Sequence, residues 1–505
     1  NAAHMFDGAN WVSSLDLAHT NFREVTDITS MFNNCTASVF DLKNSKFEKI
    51  KDFSNMFNNT SGASKIDLSA LQLTAAEDLS NMFKNTTASE IIINTNNNIG
   101  GSHITNMSEM FNGAQNVTSL NLGNITTGEL TSIKYMFRDN SRLTSLTLPR
   151  VFNTSQVEDF SWLFAYTINL EEIGNIAQLN TISARDMNHM LYDTRAKVSQ
   201  IVPILKANHV TDLSYMLSES SIDGDIIFSS DFHTGEVTNM EGMFAQATYY
   251  TADISHFDFS SVENMSKMFM GGTTEVSYGA CPHGLGMSDV IWPANIQTTP
   301  VKTLAYLFTS NCNIKKIKAP KIIAPNLKDT RYAFAGLKEV TSIDLDNFDT
   351  SSVENMEGMF SFNDTDFMKD QHIKISLNTS NVKNMSKLFH YAYVSYLDVS
   401  DFDVSKVTDF SNTFGYTWLY ELDLTGWNTI SATDMTSMFE DSNWLQKIYA
   451  SDSFVTTNVV ASDNIFYSLP EAHYRGGAGS YIQNNIRYAH IDGGTANPGA
   501  FWRKP

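Results

Sequence analysis

The residues best suited to recognition are aromatic and lie towards the end of the chain. Tyr391, Tyr393, Tyr396, Trp418, Tyr420, Trp444 and Tyr449 recur around three successive short apolar runs, where earlier copies of the same stretch carry Ser, Thr, Asn or Lys. Aromatics at unburied positions stack on sugar faces or anchor a protein partner. These seven are therefore the ligand-binding candidates. The competing reading is that they pack on one another and stiffen a sheet, or pack under a terminal cap. A second candidate group is Tyr278, His283 and Trp292, in or beside GGTTEVSYGACPHGLGMSDV (271–290), a Gly-rich stretch that interrupts the surrounding pattern. Insertions in repeat proteins map to loops on one face, often the binding face, although a tolerated surface loop would look the same.

Carboxylates offer a third kind of chemistry. Asp16, Asp67, Asp344, Asp398 and Asp423 each sit between two apolar residues of a short alternating run, so they are expected to point outward as a negative stripe. Such a stripe could attract a basic partner or Ca²⁺. Their recurrence with the repeat makes solubility and hydrogen bonding within the scaffold the favoured reading, and their spacing is not that of an EF-hand. Catalysis needs one special pair of groups in divergent environments, and no such pair stands out. GxSxG, HExxH, a P-loop and paired CxxC are all absent, and GLGMSD (Gly284–Asp289) lacks the third glycine of a dinucleotide fingerprint. The expectation is therefore no enzyme, no catalytic residue, no cofactor and no metal site.

Composition narrows the partners. The 505 residues carry 34 basic and 55 acidic side chains, a formal charge of −21. That disfavours nucleic acid, which needs a basic face, and adsorption to anionic lipid. No apolar run approaches the ~20 residues of a membrane span, so no membrane insertion is expected. Three cysteines are too few for a disulfide framework or a structural zinc site. Cys35 reads as a small half-buried turn residue, and a disulfide between Cys281 and Cys312 is possible but not predicted. The opening NAAHMF reads as the middle of a structural unit, with no export signal ahead of it and no anchor at the far end, so a piece of a longer protein is expected.

The elements that position the candidates come from a repeat. Met-Phe, or a close substitute, returns with its second residue at Phe6, Phe32, Phe57, Phe83, Phe111, Phe137, Phe164, Leu191, Leu217, Phe244, Phe269, Phe308, Phe334, Phe360, Phe389, Phe414, Phe439 and Phe466. Most steps are 25 to 28 residues long, and the one from Phe269 to Phe308 is longer. Each unit begins with an alternating run such as KIDL (Lys65–Leu68), SIDL (Ser342–Leu345) or ELDL (Glu421–Leu424), which predicts a strand with one buried face. A polar turn follows, then a segment such as SSVENMSKMF (Ser260–Phe269). There Met265, Met268 and Phe269 fall at i, i+3 and i+4, which predicts a short helix. A unit this small cannot bury its apolar face alone, so neighbours must stack into a solenoid. The methionine and phenylalanine side chains would fill its interior.

The best copies, SIDLDNFDTSSVENMEGMF (Ser342–Phe360), YLDVSDFDVSKVTDFSNTF (Tyr396–Phe414) and DISHFDFSSVENMSKMF (Asp253–Phe269), resemble the BspA-type leucine-rich repeats of bacterial surface proteins. The resemblance covers roughly residues 1–466. The tail YAHIDGGTANPGAFW (Tyr488–Trp502) is similar to the closing segment of such proteins in lactobacilli. The expected fold is thus an α/β solenoid: a curved, right-handed, leucine-rich-repeat-like coil with parallel strands on the concave face and about 18 repeats. Residues 1–466 form it, with the loop insertion at 271–290, and 467–505 form a C-terminal cap. The resemblance implies an extracellular adhesin on a Gram-positive cell surface, monomeric, binding a host matrix protein, a mucin or a polysaccharide. A lectin-like module with one discrete aromatic site, and a structural stalk presenting another domain, are the alternatives.

Overall fold

The computed structural model describes residues 1–504 apart from 43–44, 46, 70–72, 94–102, 124, 129, 196–197, 222–223, 273–287, 299, 319–320, 339, 341, 346–347, 362–371, 471–483, 494–496 and 498. Tyr278, His283 and Cys281 lie outside the described residues. The chain divides into two compact units, Asn1–Val237 and Thr238–Pro505. Each is a parallel β-solenoid.

The alternating runs form the expected strands, three or four residues long and parallel from coil to coil. In the first unit Ser119–Asn121, Ser145–Thr147 and Glu172–Gly174 lie side by side with Leu120, Leu146 and Ile173 in register. In the second unit His372–Lys374, Tyr396–Asp398, Glu421–Leu424 and Lys447–Ala450 align Ile373, Leu397, Leu422 and Ile448. The central apolar residue faces the core, so Leu397, Leu422 and Ile448 are buried, and its polar neighbours face outward.

The expected helix does not form. In the segment around Phe32, the N–H groups of Met31, Asn33 and Cys35 bond within the coil to the carbonyls of Ile28, Ser30 and Phe32 at 3.0, 3.1 and 3.2 Å. The alternate N–H groups of Ser30, Phe32 and Asn34 bond to Ser54, Met56 and Asn58 of the next coil, each at 2.9 Å. A helix would use every one of these donors internally. Here every second donor is committed to the neighbouring coil, so the chain runs as linked β-turns. Ser30 and Asn34 have φ of 55° and 54°, the left-handed value that type II turns need at their third residue. Such a string of turns also carries residues i, i+3 and i+4 to one side, so Met265, Met268 and Phe269 are buried as a helical face would be. Among the described residues, helix is limited to Val198–Ile201 and three short 3₁₀ turns.

The residue that opens the turn string, Asn or Asp in most coils, has its own role. These residues form parallel bridges from coil to coil, for example Asp27–Asp52–Asp78–Asn106 and Asn355–Asn384–Asp409–Asp434. Their Oδ1 accepts the N–H two residues on: Asp52 from Ser54 at 2.9 Å, Asn384 from Ser386 at 2.8 Å, Asp434 from Thr436 at 2.8 Å. This side-chain mimic of a backbone turn explains the recurrent Asn or Asp before the methionine.

The core behind the turns is a column of rings. Phe57, Phe83, Phe111, Phe137 and Phe164 stack at centroid separations of 5.3 to 5.9 Å, within 8° of parallel. Phe360, Phe389, Phe414, Phe439 and Phe466 repeat the arrangement at 5.7 to 5.9 Å. At the end of the chain, Trp502 bridges to Tyr449 in parallel, and the buried Phe501 meets Phe439, Phe454 and Phe466 edge-on.

One boundary differs from expectation. The last residues of the 271–290 stretch are not loop: Asp289–Ile291 is a strand paired with Thr251–Asp253. Cys312 is disulfide-bonded, although no disulfide was predicted. Cys35 is free and buried, burial raising its thiol pKa.

Candidate functional site

The seven C-terminal aromatics fall into three groups rather than one patch. Tyr391 is not beside the strand at all. It occupies a left-handed position in the turn string, φ 55°, and stacks on Tyr416 of the next coil, φ 60°, with centroids 4.3 Å apart and planes 18° from parallel. Tyr416 escaped sequence reasoning, although its 25-residue offset from Tyr391 was there to be read. Tyr393, Trp418 and Trp444 make the second row. Their separations are 4.4 and 6.3 Å, with the rings tilted by 46° and 35°. Each precedes its strand by three residues, and the first two alternate with buried neighbours, Ala392 and Val394 around Tyr393, Thr417 and Leu419 around Trp418. The indoles stand outward: Trp418 is 48% and Trp444 59% exposed.

Tyr396, Tyr420 and Tyr449 belong to the strand face. Tyr396 lies in register with Glu421 and, one coil further, Lys447. Tyr420 precedes its strand, and its carbonyl accepts the N–H of Gln446 at 2.7 Å. Tyr449 is half-buried beside Asp423 in register. The structure therefore gathers Tyr391, Tyr393 and Trp418 with Tyr416, Asp441 and Asn443 around an open cleft of about 210 Å³. Trp444 adjoins it through Trp418, and the other three candidates stand apart.

The cleft is acidic in character. Burial and the carboxylates of Asp441 and Glu440 raise the Tyr416 phenol pKa above its ordinary value. Beside it, His390 meets Tyr391 and Tyr416 edge-on. Burial first, and the nearby Lys387 second, hold its imidazole pKa down to about 4, so it adds no positive charge at neutral pH. Among the described residues, no lysine or arginine lines the cleft.

Other candidates resolve differently. Trp292 is half-buried and packs edge-on against Phe269 at 5.2 Å, near Phe259 and Phe308. The strand aspartates serve the scaffold. Asp16, Asp67, Asp398 and Asp423 accept the N–H of Ala18, Ser69, Ser400 and Thr425 at 2.9 to 3.0 Å. No group of three His, Cys, Asp or Glu side chains suited to a metal occurs among the described residues. No helix among them is long and apolar enough to cross a membrane.

Sequence reasoning also missed an aromatic row in the first unit. Tyr135, Trp162, His189 and Tyr215 occupy the first left-handed position of four successive turn strings. They stack at 6.0, 4.0 and 5.0 Å, and the Arg138 guanidinium lies 4.9 Å from the Trp162 ring. Burial lowers the His189 pKa to about 4. The legible signal was an aromatic residue two places before each core Phe or Leu. A further cleft of about 370 Å³, lined in part by Val39, Asp41, Lys65 and Asp67, lies on the strand face.

With this geometry in view, the relatives can be placed. The chain belongs to the family described as "Mycoplasma protein of unknown function, DUF285", whose model matches residues 1–116, 77–204, 199–276 and 328–454. No curated protein matches the chain. Among solved structures, one of the Toll–Spatzle complex, a molecular hub in Drosophila development and innate immunity, is similar at 12% identity with a TM-score of 0.20. That alignment spans 85% of this chain and 50% of the other, and a likeness this distant carries no functional argument.

Proposed function

We propose that the chain is the binding region of an extracellular bacterial adhesin of the BspA-like leucine-rich-repeat type. In this reading it is monomeric, displayed on a Gram-positive surface, and attaches to a host matrix protein, mucin or polysaccharide. The observation that carries the reading is the convergence of Tyr391, Tyr393, Tyr416 and Trp418 on one open cleft, with Trp444 exposed beside it. Exposed indoles on a rigid backbone make strong anchors, because little freedom is lost when they are covered. The repeat matches at Ser342–Phe360 and Tyr396–Phe414 support the choice of class.

Attachment would be non-covalent, the aromatic rows supplying apolar anchors and Asp441 with Asn443 supplying polar contacts at the rim. The test is binding of the intact chain to immobilised matrix proteins, mucins and neutral polysaccharides, alongside a Trp418→Ala/Trp444→Ala variant. Capture of one member, lost in the folded variant, is the expected result. Binding to none would favour the stalk.

A further inference from the structure

The cleft has features that choose among partner classes. Its first pair of rings spends its faces on each other, Tyr391 covering Tyr416 at 4.3 Å and 18° from parallel, while Tyr393 and Trp418 stand 4.4 Å apart at a tilt of 46°. What such rows offer a ligand is ring edges and the furrow between them. Sugar recognition leans on an open ring face. A furrow between aromatic edges instead receives the wedge of a proline ring. The indole N–H groups of Trp418 and Trp444 make no hydrogen bond among the described residues, so they can donate outward. A polyproline II segment suits them, because its carbonyls have no partner within the segment.

The periods also agree. Side chains in a row recur once per coil, and two coil steps at the parallel strand spacing span roughly 9.6 Å. One turn of polyproline II, three residues, spans roughly 9.3 Å. A peptide lying along the second row thus meets Tyr393 and Trp444, two coils apart, at successive turns. Charge then selects the flank of the segment. Asp441 lines the cleft, no basic residue among those described does, and the chain as a whole carries −21.

We propose that the Tyr391/Tyr416–Tyr393/Trp418 cleft takes an extended, proline-rich protein segment in polyproline II conformation, with a basic residue placed against Asp441. The inference rests on the reading of the cleft as the attachment site and specifies what attaches there. The cleft, smaller than the ~300–1,000 Å³ of sites that enclose a whole small ligand, holds one turn of such a segment at a time.

The experiment titrates the full chain, followed by tryptophan fluorescence and calorimetry, with four probes: a lysine-ended oligoproline, a glutamate-ended oligoproline, a lysine-ended Gly/Ser peptide and a neutral cello-oligosaccharide. The lysine-ended oligoproline should bind best. Trp418→Ala should weaken it by about tenfold or more, the scale of a hot-spot anchor, while the far-UV spectrum and unfolding midpoint stay within a few degrees of the parent. Asp441→Asn, which keeps an acceptor for Tyr416 and tolerates the left-handed backbone there, should abolish the preference for lysine over glutamate ends. The inference is overturned if the oligoproline does not bind, if the Gly/Ser peptide binds equally, or if Trp418→Ala leaves binding unchanged. Oligosaccharide binding that is lost in Trp418→Ala would overturn it while leaving the attachment site standing. Failure of every probe, together with failure of the matrix and mucin panel, would remove both.

Discussion

Asn412 separates the turn string from the helix that the sequence spacing suggests, because the two predict opposite orders of stability for its Ala and Gly variants. It sits two residues before the core ring Phe414 with φ 55°, donating its N–H to Thr436 of the next coil at 2.9 Å. In a helix, Asn412→Ala would stabilise by roughly 0.5 kcal/mol, since Ala is the best helix former, and Asn412→Gly would cost a few tenths. At a left-handed position the order inverts. A Cβ there costs about 1–2 kcal/mol for an ordinary residue, and asparagine carries less of it because its side chain bonds locally. Asn412→Ala should therefore destabilise by about 1 kcal/mol. Asn412→Gly should sit near zero, relief of strain being offset by the ~0.5–1 kcal/mol entropy of a free glycine. For a body of this size, 1 kcal/mol moves the unfolding midpoint by about 2–4 °C, readable by thermal circular dichroism with three proteins in parallel. A more stable Ala variant with a less stable Gly variant would refute the turn assignment, and with it the explanation of the recurrent left-handed positions.

Three further outcomes follow from the same geometry. Phe414 is stacked between Phe389 and Phe439, so Phe414→Ala should cost about 3–5 kcal/mol in urea unfolding and Phe414→Leu distinctly less. Asp409 Oδ1 accepts the Ser411 N–H at 2.8 Å; Asp409→Ala should cost about 1 kcal/mol, whereas Asp409→Asn, which keeps the acceptor, should be close to neutral. His189, stacked between Trp162 and Tyr215, has its pKa lowered to about 4, chiefly by burial, with Arg138 reinforcing and Asp212 opposing. Its folded value lies below the unfolded one, so its contribution is complete above pH ~6.5 and is lost as pH falls towards 4; His189→Phe should flatten that part of the urea midpoint against pH curve for the first unit.

The strands and the core were legible because both follow from side-chain period alone. Alternation in ELDL fixes which way Leu422 and Leu424 point, and the Met-Phe recurrence fixes which rings meet. The turn string was not legible, because an i, i+3, i+4 apolar spacing reports only that three side chains share a face. What decides between helix and linked turns is where the alternate N–H groups go. Phe32 N–H bonds to Met56, a residue 24 positions away, and no local pattern records that. The better clue was chemical: an Asn or Asp before the methionine, and Asn55, Asn59, Asn81 and Asn85 at left-handed positions in successive coils, are turn residues rather than helix formers. The same blind spot hid Tyr416 and the Tyr135–Trp162–His189–Tyr215 row, since a helical frame gave their positions no reason to align.

A solenoid of this kind separates the residues that fold it from those free to recognise something. Its coils are held by the Phe column, the strand Leu or Ile, and the Asn or Asp that opens each turn string, all at fixed places in the repeat. The left-handed turn position is constrained in backbone and open in side chain. It holds Asn85 in one coil, Tyr166 in another, and Tyr391 and Tyr416 in two more, with the backbone bonds to the next coil kept in each: Asn85 to Asn112 at 2.8 Å, Tyr166 to Tyr192 at 2.9 Å, Tyr416 to Glu440 at 2.7 Å. Replacing asparagine by tyrosine there changes the surface without touching the core. Because the same position returns in every coil, two such replacements in neighbouring coils create a stacked pair and a third extends it into a row. An aromatic cleft can thus arise from a few substitutions on an unaltered scaffold, and its period is inherited from the strand spacing rather than selected for the ligand.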